Sequence, residues 1–490
     1  MTVPQTTSIP RVEAQTSRTG ALRLSWTQPE DLVAHAINAA GEEGRDLGAL
    51  GERWSEAGGS LIPAVTGATP LQAEPKLRSL ARELMYELDL VALPEVIAAT
   101  EPDDLEDIRA LLTVSDEGVI PPTDAMNVDP TTIQDRIHGA WLGRAAGCLL
   151  GKPVEKIPRD GIRLIAQSTA NWPIASYFTE VGLDPAIADR FPWNRRSRST
   201  SLIENIDGMP EDDDLNFPLI ALDLLERVGR NFTTRDVAES WLANLPGGRV
   251  FTAERITYRN LLNGYEPEEA GAIQNPFREW IGAQIRADVY GWVNPGRPGT
   301  AAELAWRDAR LSHRRNGVYG AMFVAAASAS AIVSDSVDEV LSAALEIIPP
   351  DSRYATAIRF GMDLGRSTHA TERALDLLYA EYGHLHWVHV LNNAALLAFS
   401  LVRGAGDFET TITLAVTGGW DTDSTGATAG SITGALTGAR GLPGRWVDPL
   451  KNRLATSLPA YDQIGFDELA ARTATLAGET TSIHSQEIRG

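Results

Sequence analysis

The chain has a single cysteine, Cys148, among 490 residues. That excludes an internal disulfide and any thiolate cage for zinc or an iron–sulfur cluster, and it suits the reducing cytosol, where the protein is expected to work. Long apolar runs are missing too. The one weakly polar stretch, residues 317–334, is mostly Ala and Ser and is poorer in Leu and Ile than a bilayer-spanning helix, so it predicts a buried helix and no membrane partner. Residues 1–19 are polar, with Pro4 and Pro10 but no apolar stretch of the kind a secretory signal needs; residues 1–20 are expected to be a disordered lead-in. Basic residues are outnumbered. Against 65 Asp and Glu stand 43 Lys and Arg, a net charge of −22, which repels phosphate backbones and argues against nucleic acid as a partner. A substrate carrying phosphates would need a bound cation or a local arginine cluster to offset that field.

What is present is a strongly helical pattern with few period-two stretches. Residues 29–57 and 75–91 carry helical spacing, the latter through Leu77, Leu80, Leu84 and Leu88, while residues 21–26 read as a short strand. Pro121, Pro122 and Pro130 among polar residues mark a linker over residues 116–130. The expected organisation is an accessory, mostly helical region over 21–128 with no catalytic constellation, followed by the main body over 129–490. There Asp129-Pro130 and Thr131 with Gln134 signal a helix start, and Ile133, Ile137, Trp141, Ala145 and Cys148 follow at about one-turn spacing. Further helices are predicted over 217–228, 234–245, 300–311, 318–333 and 388–402. The fold class is therefore all-α, with functional groups on loops and helix ends.

Two acidic clusters stand out. Glu211-Asp212-Asp213-Asp214 opens a predicted helix; a capping role needs one or two carboxylates there, and four repel one another. Asp421-Thr422-Asp423-Ser424 follows Gly418-Gly419-Trp420 and opens a second helix, in which Gly426, Gly430, Gly434 and Gly438 recur every four residues and form a ridge where another backbone can approach closely. Carboxylates and hydroxyls select hard cations, so the two clusters brought together would hold Mg²⁺, or Mn²⁺ or Ca²⁺, and two ions are expected.

Three motifs resemble the ADP-ribosylglycohydrolase family. Gly139-Ala-Trp-Leu-Gly143 continuing to Gly147-Cys-Leu-Leu-Gly151-Lys-Pro-Val-Glu155 is similar to its first helix and the turn ending in Glu; Glu211 to Asp214 resembles its Thr-Asp-Asp-Thr step; and Gly418 to Ser424 resembles its Gly-Gly-Asp-Thr-Asp-Thr step. The resemblance runs from about Ile133 to Leu450 and implies an orthogonal helical bundle with a binuclear Mg²⁺ centre. It departs from the pattern where Glu211 and Ser424 stand for Thr, where Trp420 is inserted, and where Cys148 replaces an Asp common in relatives.

The expected chemistry is hydrolysis of an N- or O-glycosidic bond at the anomeric carbon of an ADP-ribosyl or related ribosyl group, on an ADP-ribosylated protein or a ribosylated small molecule. Positive charge builds at that carbon, and carboxylates with metal can stabilise it and place water. Expected metal ligands are Glu211, Asp212, Asp213, Asp421, Asp423 and Ser424; Asp213 or Glu155 is the candidate acid or base. Ser312, His313, Asn316, Gly317 and Tyr319, at a helix start, and Gly419 and Trp420 are candidates for substrate contact, with helix capping as the competing reading for the first group. Arg195, Arg196 and Arg198 are a pyrophosphate contact or a solvated loop. His384, His386 and His389 look like a metal cluster, but beside Trp387 they read better as packed or capping groups. Asp421-x-Asp423-x-Thr425 also fits a haloacid-dehalogenase-type phosphatase, a reading that fails on motif order. A nucleoside-type N-glycosidase and a silent metal-binding relative stay open.

Overall fold

A computed structural model describes residues 15–16, 22–64, 67–112 and 128–487; most of the expected lead-in and linker lie outside them. The regular structure of the described residues is almost all helix. The predicted strand is reduced to Leu22–Arg23, paired antiparallel with Gln15–Thr16. Residues 29–57 form two helices, Pro29–Glu42 and Leu50–Glu56, because Gly44 and Gly48 take positive φ between them. The remaining expectations fall on Pro75–Leu90, Asp213–Val228, Thr234–Asn244, Pro298–Ala309, Asn316–Ala331 and Val390–Gly404. Asn316–Ala331 is buried along its whole length. No helix among the described residues is long and apolar enough to cross a membrane.

The body is organised around two antiparallel helices. Pro130–Gly151 starts with Asp129 as N-cap and Pro130 in its first turn, where a missing N–H costs nothing. It packs against Thr422–Thr437 glycine on glycine: Gly139 faces Gly434, Gly143 faces Gly430, Gly147 faces Gly426, and Gly151 faces Thr422. Each of these glycines sits so close to the opposite backbone carbonyl that a methyl group has no room. This packing brings the end of one helix, leading to Glu155, beside the start of the other at Asp421.

The N-terminal helices do not stand apart. Trp26, Leu32, Val33, Trp54, Leu84 and Met85 share one apolar cluster with Ile256, Phe277, Trp280, Ile285 and Val388 of the body. Around it runs a buried ionic seam. Arg315 bridges Glu43 and Glu279, the latter at 2.9 Å, and Arg353 bridges Glu101 at 2.7 Å and Glu279 at 2.9 Å. Buried charges persist only when paired in this way.

Candidate metal centre

Asp212 has an extended backbone and caps Asp213–Val228, its Oδ1 accepting the Asp214 amide at 2.9 Å. Its other oxygen accepts from the Lys152 ammonium, which also donates to the Glu211 carbonyl at 3.2 Å. The helix turn then carries Asp214 inward. One of its oxygens lies 3.4 Å from Arg144, and the other accepts from the Ser424 hydroxyl at 3.2 Å. The two acidic clusters, some 210 residues apart in sequence, therefore meet through Asp214 and Ser424.

Two groups of donor atoms result. Glu155, Asp421 and Asp423 each offer a carboxylate oxygen, all within 4.8 Å of one another; Cys148, Asp212 and Asp214 form a second group under the same limit. Glu155 is steered by Asn194, whose amide donates to it, and by the Lys156 ammonium at 3.0 Å. Asn393 fixes the opposite side, its carbonyl oxygen accepting from the Asp421 amide at 3.2 Å and the Thr425 hydroxyl at 3.1 Å. Lys156 and Trp420, flanking these carboxylates, take φ of 72° and 60°, a left-handed conformation that costs about 1–3 kcal/mol for such side chains.

The electrostatics follow from burial. Burial first, then Asp423 and Glu155, push the Asp421 carboxyl well above the usual range; burial and Glu155 hold Asp423 at about 7. Asp213 and Asp214 are pushed up by burial and by Asp212. Asp212 is the exception: burial would raise it, but the Lys152 ammonium holds it below the usual range. So many buried carboxylates resist ionising together, and a cation between them relieves that cost. The all-oxygen group fits a hard divalent ion. At the second group, Lys152 already supplies one positive charge.

Glu211 lies at the rim, paired with Arg249 at 3.1 Å. Gly419 and Trp420 adjoin the centre, and the Trp420 ring stacks on Tyr379 at 4.3 Å. The other expected substrate contacts are engaged elsewhere. Ser312 sits 2.7 Å from His313 and accepts from Arg286 at 2.8 Å. Asn316 donates to Glu101 at 2.7 Å, Tyr319 donates to the Pro102 carbonyl, and Gly317 packs under the Arg278 carbonyl. Asn316 and Tyr319 thus bind the N-terminal region to the body. Arg195, Arg196 and Arg198 are exposed, Arg198 pairing with Glu180 at 2.7 Å. His386 stacks on Trp280 at 4.3 Å and His389 caps Val390–Gly404, the packing and capping roles expected of them.

Lys152, Asn194 and Asn393 are not among the residues that the sequence marks, and Asp214 stands in the first acidic cluster without being one of the expected ligands. Lys152 and Asp214 lie inside the quoted motifs, so a signal existed; Asn194 and Asn393 reach the centre only through the fold.

Residues 129–481 match the family model described as ADP-ribosylglycohydrolase. A protein of Archaeoglobus fulgidus described as uncharacterized is 26% identical over 338 residues, covering 66% of this chain and 96% of its own. A solved chain described as an ADP-ribosylglycohydrolase-related protein complex is 21% identical, covers 72% of this chain and 99% of its own, and superposes with a TM-score of 0.46. With the family model matched over residues 129–481, more than half of the chain, and both acidic motifs drawn into one centre, the chain belongs to the ADP-ribosylglycohydrolase family.

Proposed function

We propose that this protein is a divalent-cation-dependent hydrolase that cleaves the N- or O-glycosidic bond at the anomeric carbon of an ADP-ribosyl or related ribosyl group. The observation that carries this reading is the convergence of Glu155, Asp421 and Asp423 on one small volume beside the Asp214–Ser424 contact. Those three carboxylates would hold Mg²⁺, with Mn²⁺ or Ca²⁺ as substitutes; Cys148, Asp212 and Asp214, with Ser424 beside Asp214, would surround the place for a second ion, where Lys152 competes. A cation held there would supply positive charge to polarise a water and the ribose hydroxyls.

The chain's own residues do the rest. Glu155, which contacts Asn194 and Lys156, is the group we assign to proton transfer, with Asp213 as the alternative. In the reaction a water oxygen bonds to the anomeric carbon, the bond to the leaving nitrogen or oxygen breaks, and a proton reaches the departing atom as another leaves the water. The buried carboxylates offset positive charge at the sugar as it develops. The substrate is an ADP-ribosylated protein or a ribosylated small molecule, met in the cytoplasm.

Hydrolysis of ADP-ribosylated protein, free ADP-ribosyl compounds and nucleosides, each with Mg²⁺ and with chelator, tests this reading. Asp421→Ala is expected to abolish turnover and cut Mg²⁺ affinity at least tenfold. Unchanged metal content and unchanged hydrolysis in that variant would refute the assignment.

A further inference from the structure

The first body helix carries a second repeat of four beside its glycine ridge. Arg144, Cys148 and Lys152 share a face of Pro130–Gly151 and of the turn that ends it. That face meets the opening of Asp213–Val228, where Lys152 pairs with Asp212 and Arg144 pairs with Asp214.

Arg144 is fully buried. Its Nε donates to the Asp214 carbonyl at 2.7 Å, and one terminal nitrogen donates to Asp288 at 2.8 Å. The other terminal nitrogen donates to the Ile285 carbonyl and lies 3.4 Å from Asp214 Oδ1. A planar fork with donors in fixed directions can hold the backbone and the carboxylate of one residue at once; an ammonium on a flexible stem cannot.

Asp214 is itself 1% exposed, and its two oxygens have separate tasks. Oδ1 faces Arg144, while Oδ2 accepts from the Ser424 hydroxyl at 3.2 Å. A serine oxygen carries one proton and two lone pairs. With the proton committed to Asp214, both lone pairs stay available to a cation, and Ser424 follows directly on Asp423, a member of the all-oxygen donor group. A donor in place of Oδ2 would make the hydroxyl accept, and one lone pair would be lost to the protein.

We propose that Arg144 is a positioning residue of the metal centre. Anchored by Asp288, it fixes Asp214, and Asp214 sets the direction of the Ser424 proton so that this oxygen serves as a ligand. This rests on the reading above only in taking a divalent ion to bind at the carboxylates around Ser424. Groups that orient metal ligands from behind carry about 10–100-fold in affinity without touching the ion.

Calorimetric Mg²⁺ titration of the full chain, without substrate, tests this relay. Asp214→Asn keeps the shape of the side chain, but its carbonyl oxygen turns to the Arg144 donors and its amide faces Ser424. Arg144→Lys keeps the buried charge and loses the fork. Each is expected to weaken Mg²⁺ binding about tenfold or more in the native background, and much less in a Ser424→Ala background, where no hydroxyl is left to orient. Ser424→Thr, which keeps the hydroxyl, should restore the full dependence on both. Mg²⁺ affinity unchanged by both variants would overturn the proposal. So would an equal loss with and without Ser424→Ala, which means direct ligation by Asp214 or a general effect of Arg144 on packing. If Arg144→Lys does not fold, Asp214→Asn decides alone. Binding is read without turnover, so a native chain that takes up Mg²⁺ but hydrolyses no ribosyl compound refutes the hydrolase reading and leaves the relay standing.

Discussion

Gly143 and Gly430 lie back to back, each with the other's carbonyl oxygen where its side chain would begin. Neither position tolerates a methyl group without moving a backbone, and the helices they belong to end and begin at the carboxylates of the metal centre. Gly143→Ala is expected to cost about 3 kcal/mol, the upper part of the range for overpacked cores, and to weaken Mg²⁺ binding because Glu155 and Asp421 lose their register. Thermal unfolding and calorimetry measure both. Gly478→Ala, whose added carbon meets nothing within 4 Å, is the control, neutral or stabilising by up to about 1 kcal/mol.

Lys152 places a fixed cation on Asp212 where a second ion would go. The native chain is therefore expected to bind one divalent ion tightly. Lys152→Met should lower stability by about 3 kcal/mol without metal, since Asp212 loses its partner, and should recover it as Mg²⁺ is added. Calorimetric stoichiometry rising from one toward two ions is the supporting result. Two tight ions in the native chain would show that the ammonium is displaced.

Arg315 pairs with both Glu43 and Glu279 in the buried seam. Arg315→Met leaves both carboxylates short of a buried partner and is expected to destabilise by about 3–5 kcal/mol. The loss should fall first on residues 28–112, read as earlier proteolytic cleavage there. Adding Glu43→Gln should restore part of the stability.

His35 and His389 are held at about 4, chiefly by burial, against 6.5 for the free group. Between those values the unfolded chain binds more protons than the folded one, so stability falls as pH drops from 6.5 toward 4. The expected loss is on the order of 3 kcal/mol for each histidine by pH 4. Comparing His35→Phe with the native chain by denaturant unfolding at pH 7 and pH 4.5 isolates the contribution: the variant should lose less on acidification.

Much of the frame was legible in the residues. Helical spacing placed most of the long helices, Asp129-Pro130 marked the start of the first body helix, and the four-residue glycine spacing from Gly426 onward announced a close backbone contact. The partner of that ridge, Gly139 to Gly151, is also spaced by four, but which ridges meet is a property of the packed molecule. Ser312, Asn316 and Tyr319 show the limit. Polar groups at a helix start look alike whether they face a ligand or a neighbouring segment, and Asn316 and Tyr319 face Glu101 and Pro102.

Local chemistry along the chain decided that hard oxygen donors sit at two helix starts, that the body is helical, and that a cage built of several thiolates is excluded, because each follows from side-chain type and spacing alone. Tertiary packing decided which oxygens share a site, that Lys152 occupies part of it, and that the N-terminal helices share a core with the body. Those outcomes depend on distances between residues far apart in the chain, and such distances exist only once the glycine ridges have closed.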